Sequence, residues 1–263
     1  MRALSWNLFH GRDFPPESPL RSLRSRLKAN RPLREEFGGL IASWDWDIAL
    51  LQEVPPRWLR PLAAACRAHG ASALTSRNQL ALLRALLADW SPNLIASNEG
   101  GSNQLLVRPP GRLVEVRRLT LTRLPERRRM LWARVALPGG PLAVANLHAT
   151  AGDPSRAAEE VIVAANRAVE WAAGDPLVFG GDLNLRPRSE AELFARLREH
   201  HGLGEATAPD AIDHLLVRGL AVVEPPRRLP SAAREVAVQG RRLRLSDHAP
   251  VRASFALHGD TEA

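Results

Sequence analysis

The chain has no tyrosine, a single cysteine and, among 36 basic residues, a single lysine, Lys28. One thiol, Cys66, cannot close an internal disulfide, which excludes a disulfide-stapled scaffold and fits a reducing compartment. Set in an Ala-rich segment, Cys66 reads as a small buried residue and not as a nucleophile. No apolar run approaches the roughly 18 residues that a membrane span requires. The stretch Met1–Asn7 goes straight into strand-like sequence without the charged and apolar regions of an export signal, so a cytoplasmic chain with no membrane partner is expected. Aromatic residues make up only 5% of the total.

What is present is globular. Hydrophobic residues at 45% and charged residues at 24% exclude a disordered or collagen-like chain. At 263 residues the chain is long enough to bury roughly three quarters of its unfolded surface. No repeat or long linker divides it, so one domain over residues 1–258 with a short tail, 259–263, is expected, as a monomer. The net charge is +8. A GC-rich coding bias accounts for arginine over lysine; the sign of the charge favours phosphate-rich partners, which arginine binds bidentately.

Periodicity alternates short β-type runs with helical ones. Strands are expected at Arg2–Phe9, Asp47–Gln52, Asn93–Ala96, Gln104–Val107, Arg112–Leu121, Met130–Leu137, Leu142–His148, Leu177–Phe179, Ile212–Val217, Ala221–Val223 and Val251–Ala256. Helices are expected at Pro19–Ser43, Pro56–Ala68, Asn78–Leu87, Ser155–Ala173 and Ser189–His200, the fourth capped by Ser155 and ended by Gly174. The Pro- and Arg-rich stretch Glu224–Arg244 reads as a loop, with Pro225–Ser231 a solvated connection.

Polar residues gather at the ends of these strands: Trp6-Asn7, Gln52-Glu53, Asn146 and His148, Gly180-Gly181-Asp182-Leu183-Asn184, Asp213-His214, and Ser246-Asp247-His248. In layered α/β folds such ends display binding and catalytic groups. Carboxylates with Asn and His neighbours suit a hard cation and a phosphate. His214, one residue from Asp213 and so facing the opposite way in a strand, is read as structural.

This ordered set resembles the endonuclease/exonuclease/phosphatase superfamily, with Gly180–Asn184 and Ser246–His248 its most specific pieces. The resemblance implies a four-layer α/β/β/α sandwich of two packed mixed β-sheets. It also implies a metal-dependent phosphoester hydrolase using Mg²⁺, with Mn²⁺ as the alternative ion. In that family's pattern Glu53 is the principal metal ligand, Asn7 holds metal or phosphate, and Asp247 completes the metal shell. Asp182 directs the attacking water, and Asn184, two positions on and taken to share its face, binds phosphate. His248 is oriented by Asp213 and stabilises the developing charge, while His148 lies near the leaving oxygen. Asn103 and Arg128 are implied on the substrate. Two departures stand out: the acid that many nuclease members carry two residues after the first Asn is here Phe9, followed by His10, and the tyrosine of abasic-site endonucleases has no counterpart. The expected substrate is nucleic acid, with Arg241, Arg242 and Arg244 at the site mouth. The alternatives are an enzyme of inositol phosphates, lipids or other small phosphoesters, or a non-catalytic scaffold, whose mark would be loss of Glu53 or Asp182.

Overall fold

The computed structural model describes residues 1–14, 29–76, 80–95, 100–238 and 240–257. Two mixed sheets form its centre. The first runs in the order β10(Ala221–Arg228)-β13(Val251–Ala256)-β1(Arg2–Asn7)-β2(Ile48–Val54)-β4(Ser102–Val107)-β3(His69–Leu74). The second runs β5(Arg112–Thr122)-β6(Arg128–Leu137)-β7(Gly140–His148)-β8(Leu177–Asp182)-β9(Asp213–Arg218). In each sheet one pair is parallel, β1 with β2 and β7 with β8, and the other pairs are antiparallel. Helices α1(Arg34–Ser43) and α2(Leu59–Ala65) cover the first sheet, and α4(Pro154–Ala172) and α5(Ala191–His201) cover the second. This is the expected four-layer sandwich. The described residues also form helix α3(Ala81–Trp90) and a β11(Glu235–Val238)–β12(Arg241–Arg244) hairpin.

Period-two alternation explains why there are three apolar cores and four layers. On β1 and β2, Ala3, Ile48 and Leu50 face the other sheet, while Leu4, Trp6, Ala49 and Leu51 face the helices. On β7, Leu142 and Val144 face inward and Ala143, Ala145 and Leu147 face α4. Both faces of these strands are buried, so their sequence reads as continuous apolar runs. Among the described residues no helix is long and apolar enough to cross a membrane.

The inward stripe turns polar before it leaves the sandwich. Gln52 Nε2 donates to Asn146 Oδ1 at 2.8 Å and to the Leu50 carbonyl at 3.1 Å. Asn146 Nδ2 donates to the carbonyls of Leu51 and Gln104 at 3.0 and 2.8 Å. Both amides are fully buried. They tie β7 of one sheet to β2 and β4 of the other.

Several elements differ from expectation for local physical reasons. Asn93–Ala96 is not a strand: Pro92–Ile95 form a 3-10 turn, which a leading proline favours, and Ala96 lies outside the described residues. Glu224–Arg244 is not a loop; β10 continues through Pro225 and Pro226, and the β11–β12 hairpin follows. The prolines are tolerated because β10 is an edge strand with register shifts between Val222 and Arg227. The β3 strand, His-Gly-Ala-Ser-Ala-Leu, carried no β-branched signal and was not expected. The long helix Pro19–Ser43 is helical over Arg34–Ser43, after Pro32, and its residues 19–28 lie outside the described residues. The third helix runs over Ala81–Trp90, further than the expected Leu87, and Asn78 and Gln79 of its expected start lie outside the described residues. Asp153, not Ser155, caps α4, its side chain accepting from the Arg156 N–H at 3.1 Å. The tail 259–263 lies outside the described residues.

Glycine is required where β8 passes between its neighbours. A Cβ on Gly181, whose φ is +121°, would sit 2.0 Å from the Leu147 carbonyl oxygen, and one on Gly180 would sit 2.3 Å from that of His214. Neither obstacle is a side chain that can swing away. Gly181→Ala is therefore expected to destabilise the protein by about 3 kcal/mol or more, from strain and overpacking together. A urea midpoint equal to wild type would show that β8 can move aside.

Candidate active site

The same inward parity that builds the core delivers the site. Beyond Ala3 and Ser5 comes Asn7; beyond Val144 and Asn146 comes His148; beyond Val178 and Gly180 comes Asp182. Strand β9 runs antiparallel to β8, and its first residue, Asp213, pairs with Asp182 at that end. His214 faces away: its Nε2 lies 3.1 and 3.0 Å from the carbonyl oxygens of Leu185 and Ala211, and its ring packs on Phe194. It is structural, as its parity requires.

Glu53 breaks the alternation. After inward Gln52 it would face the helices, but its φ is +51° at an irregularity where β2 shifts register against β4. The bulge re-aims the carboxylate into the site, with Oε2 3.1 Å from His10 Nε2 and Oε1 3.6 Å from His148 Nε2. Phe9, His10, Asn184 and Ser246 also have positive φ. Five of the nine such non-glycine residues among those described therefore lie around this site.

Asp182 is held on both oxygens. Oδ2 accepts from Asn7 Nδ2 at 2.9 Å, and Oδ1 accepts from the Asn184 backbone N–H at 3.1 Å. Asn184 does not share a strand face with Asp182; it sits in a left-handed turn, where its Nδ2 donates to the Ala149 carbonyl at 3.0 Å. Burial and the neighbouring Asp213 carboxylate raise the Asp182 pKa well above the usual carboxylate range, although His248 and Asn7 favour its charge.

His248 Nδ1 lies 2.9 Å from Asp213 Oδ2, and its Nε2 lies 3.7 Å from Asp182. Burial alone would favour a neutral ring, but Asp213, with Asp182 and Asp247 behind it, outweighs burial and raises the pKa to about 10. The loop carrying it is tied to β1: Trp6 Nε1 donates to the His248 carbonyl at 2.9 Å, and the Ser246 hydroxyl donates to the Asn7 carbonyl at 2.6 Å. His148 is the opposite case. Burial, aided by Arg128 and the other imidazoles, lowers its pKa to about 3 despite the pull of Glu53. Arg128 NH1 lies 3.2 Å from its Nδ1. A guanidinium only donates, so Nδ1 accepts and Nε2 carries the hydrogen that points toward Glu53 and Asp182.

Among the described residues the tightest His/carboxylate group is Asp182, Asp213 and His248, whose ligand atoms lie within 4.8 Å of one another. Glu53 and Asp247 stand beside it, close enough that their charges act on one another. Burial works against the Glu53 charge, but His10 and the Asn7 amide lower its pKa, whereas burial raises that of Asp247. An ionised Glu53 among further carboxylates is a donor set that fits a divalent cation. Asn7 Oδ1 accepts from the Phe9 N–H at 2.9 Å, which leaves one of its lone pairs for a cation. Arg128 is engaged by His148 and by Glu126, at 2.8 Å. Asn103 Nδ2 donates to the Arg129 carbonyl at 2.8 Å, tying β4 to β6, and its Oδ1 is left without a partner. Sequence reasoning passed over His10 as a site residue; the following Gly11, a marker of tight turns, was the available signal.

A model described as the Endonuclease/Exonuclease/phosphatase family matches residues 4–248. Among solved structures, the mannosyl-6-phosphatase of Bacteroides thetaiotaomicron VPI-5482 is similar at 16% identity and TM-score 0.66, covering 98% of this chain and 100% of its own. A functionally unknown conserved protein from Enterococcus faecalis V583 gives 19% identity and TM-score 0.64 over 97% and 99%. TDP2 from C. elegans gives 15% and 0.60 over 97% and 74%. At these identities the likeness is one of fold. No curated protein matches the chain.

Removing the Asp213 charge should return His248 toward its ordinary value of 6.5. Asp213→Asn is expected to lower the His248 pKa by more than two units by NMR titration of the metal-free protein. Because the folded-state pKa is raised, its contribution to stability is complete below about pH 6.5 and fades as pH rises through about 10. The stability gap between wild type and Asp213→Asn should therefore narrow from pH 6 to pH 10.5. A constant gap would mean that His248 is not charged in the fold.

Proposed function

Because the chain belongs to the endonuclease/exonuclease/phosphatase family, whose members are divalent-metal-dependent phosphoester hydrolases, we propose that it is a Mg²⁺-dependent, nuclease-like phosphodiesterase acting on nucleic acid. The observation that carries the chemistry is the juxtaposition of Asp182 with the Asp213–His248 pair, a fixed proton acceptor 3.7 Å from a fixed cation. Bound Mg²⁺ would polarise a phosphoryl oxygen and neutralise developing charge, with Glu53 its anchor. Asp182, oriented by Asn7 and Asn184 and made more basic by burial, takes the proton of the in-line water. His248 donates to an oxygen gaining charge, and its own charge costs no reorganisation at that moment because Asp213 already holds it. His148 donates its Nε2 hydrogen toward the leaving oxygen, and the second Nδ2 hydrogen of Asn184 turns to the phosphate.

The charge balance supports a diester. Arg128 gives one hydrogen to His148 and one to Glu126, so part of its charge is balanced before a phosphate arrives, which with the single His248 imidazolium suits a monoanion. Support for a polymer comes from the net charge of +8 and from Arg242, whose side chain is 82% exposed four residues before Ser246. Arg244 lies closer to Glu235, at 3.3 Å, with its side chain only 20% exposed. Glu235 thus balances part of the rim charge. That, with the full-length likeness to a mannosyl-6-phosphatase, favours a small sugar phosphate as the second reading.

Asp182→Asn should lower kcat about a thousandfold with the fold retained, since an amide takes no proton. Glu53→Gln should raise the Mg²⁺ concentration for half-maximal rate about tenfold or more. Turnover undiminished in excess chelator would reject the metal-dependent reading. Arg242→Ala should slow cleavage of a single-stranded oligonucleotide about fivefold at moderate salt and flatten its log–log salt slope by about 0.7. A chromogenic diester should be unaffected. Rapid turnover of mannose 6-phosphate with no nuclease activity would establish the second reading.

A further inference from the structure

His10 lies in a locked turn. Its φ and ψ are 52° and 27°, and Gly11 follows at φ +76°. A Cβ on Gly11 would sit 2.2 Å from the Trp58 ring, so the turn rests directly on that indole. The Leu8 N–H donates to the Gln52 carbonyl at 2.9 Å, and the Ser246 N–H donates to the Arg12 carbonyl at 2.8 Å. The turn is therefore bound to the strand bearing Glu53 and to the loop bearing His248. It sets His10 Nε2 3.1 Å from Glu53 Oε2, with the ring 23% exposed at the mouth of the site.

Asp247 beside Glu53 can add a further carboxylate, and the other polar groups there are partly engaged. Asn7 gives Nδ2 to Asp182 and its amide oxygen accepts from the Phe9 N–H, which leaves that oxygen a single lone pair. His148 accepts from Arg128 on Nδ1 and so presents a hydrogen from Nε2, not a lone pair. His248 is a protonated ring held by Asp213. Among the described residues, the ion-pair partner of His10 Nε2 is the Glu53 carboxylate. Two donors bound at about 2.1 Å and at right angles lie about 3.0 Å apart, close to the spacing of His10 Nε2 and Glu53 Oε2.

We propose that His10 Nε2 and Glu53 Oε2 jointly ligate the catalytic divalent cation, so that this centre is a mixed imidazole–carboxylate site. The inference rests on the metal-dependent reading of Glu53 above. An imidazole donor favours Mn²⁺ over Mg²⁺, because affinity for nitrogen ligands rises along the first transition row while Mg²⁺ prefers an all-oxygen shell.

The test is Mn²⁺ binding to the full chain, free of substrate, by calorimetry and by pulsed EPR. His10→Asn is the central variant, because asparagine tolerates the left-handed backbone and removes the imidazole. Wild type should show ¹⁴N modulation of the Mn²⁺ echo, and His10→Asn should lose it. The Mn²⁺ Kd should rise about tenfold in His10→Asn, with the Mg²⁺ Kd changing less than about threefold. His10→Asp should restore binding and shift preference toward Mg²⁺. If ¹⁴N modulation is absent in wild type or survives in His10→Asn while Glu53→Gln still weakens Mn²⁺, His10 is not a ligand and the metal reading stands. If Glu53→Gln leaves Mn²⁺ and Mg²⁺ affinity unchanged, the metal reading itself fails. Thermal unfolding near wild type in each variant shows that the turn has survived.

Discussion

The amide bridge between Gln52 and Asn146 is the constraint on which the rest depends. Two sheets packed through apolar side chains alone could slide, because dispersion contacts carry little directionality. A buried amide cannot slide without leaving donors and acceptors unpaired, at about 1–3 kcal/mol for each group. Asn146 accepts from Gln52 and donates to two carbonyls of the opposite sheet, so it fixes the sheets in one register. Glu53 follows Gln52 directly and His148 follows Asn146 by two. Locking the pair therefore brings a carboxylate from one sheet within 3.6 Å of an imidazole from the other.

Above that bridge the site is a balance of charge. Asp182 and Asp213 share a buried end of the sandwich, which neither could occupy as an isolated ion. The His248 imidazolium resolves the conflict: Asp213 raises its pKa, and its charge in turn favours the ionised Asp182. His148, kept neutral a few ångströms away, gives the site a second hydrogen-bond donor that adds no charge. Two histidines of equal intrinsic pKa are thus separated in role by their partners, a carboxylate for one and a guanidinium for the other.

The fold was legible where pattern and burial agree. Helix α4 and strands β5 to β7 lie within a few residues of their expected positions because their apolar periodicity is the face they bury. Pro225 and Pro226 misled because proline forbids a central strand, and only the sheet order reveals that β10 is an edge. Strand β3, built from small residues, is held in the sheet by its pairing with β4 and not by local preference. Asn184 illustrates the same limit within the site: an i, i+2 spacing suggested a shared strand face, but the chain had already turned.

By itself the sequence determined which residue types stand at the strand ends, and hence the chemistry available: carboxylates, imidazoles and amides in a fixed order along an alternating α/β chain. Through period two it also set His214 on the opposite face from Asp213. Only the tertiary structure decided how those groups are used. Glu53 enters the site through a left-handed bulge that alternation denies it, and Arg128 sets the tautomer of His148. His10 comes to Glu53 because Gly11 seats its turn on Trp58, about fifty positions along the chain. The physical reason is common to all three. Residue type and parity are local properties, whereas protonation, backbone strain and ligand spacing arise from neighbours that only the folded chain supplies.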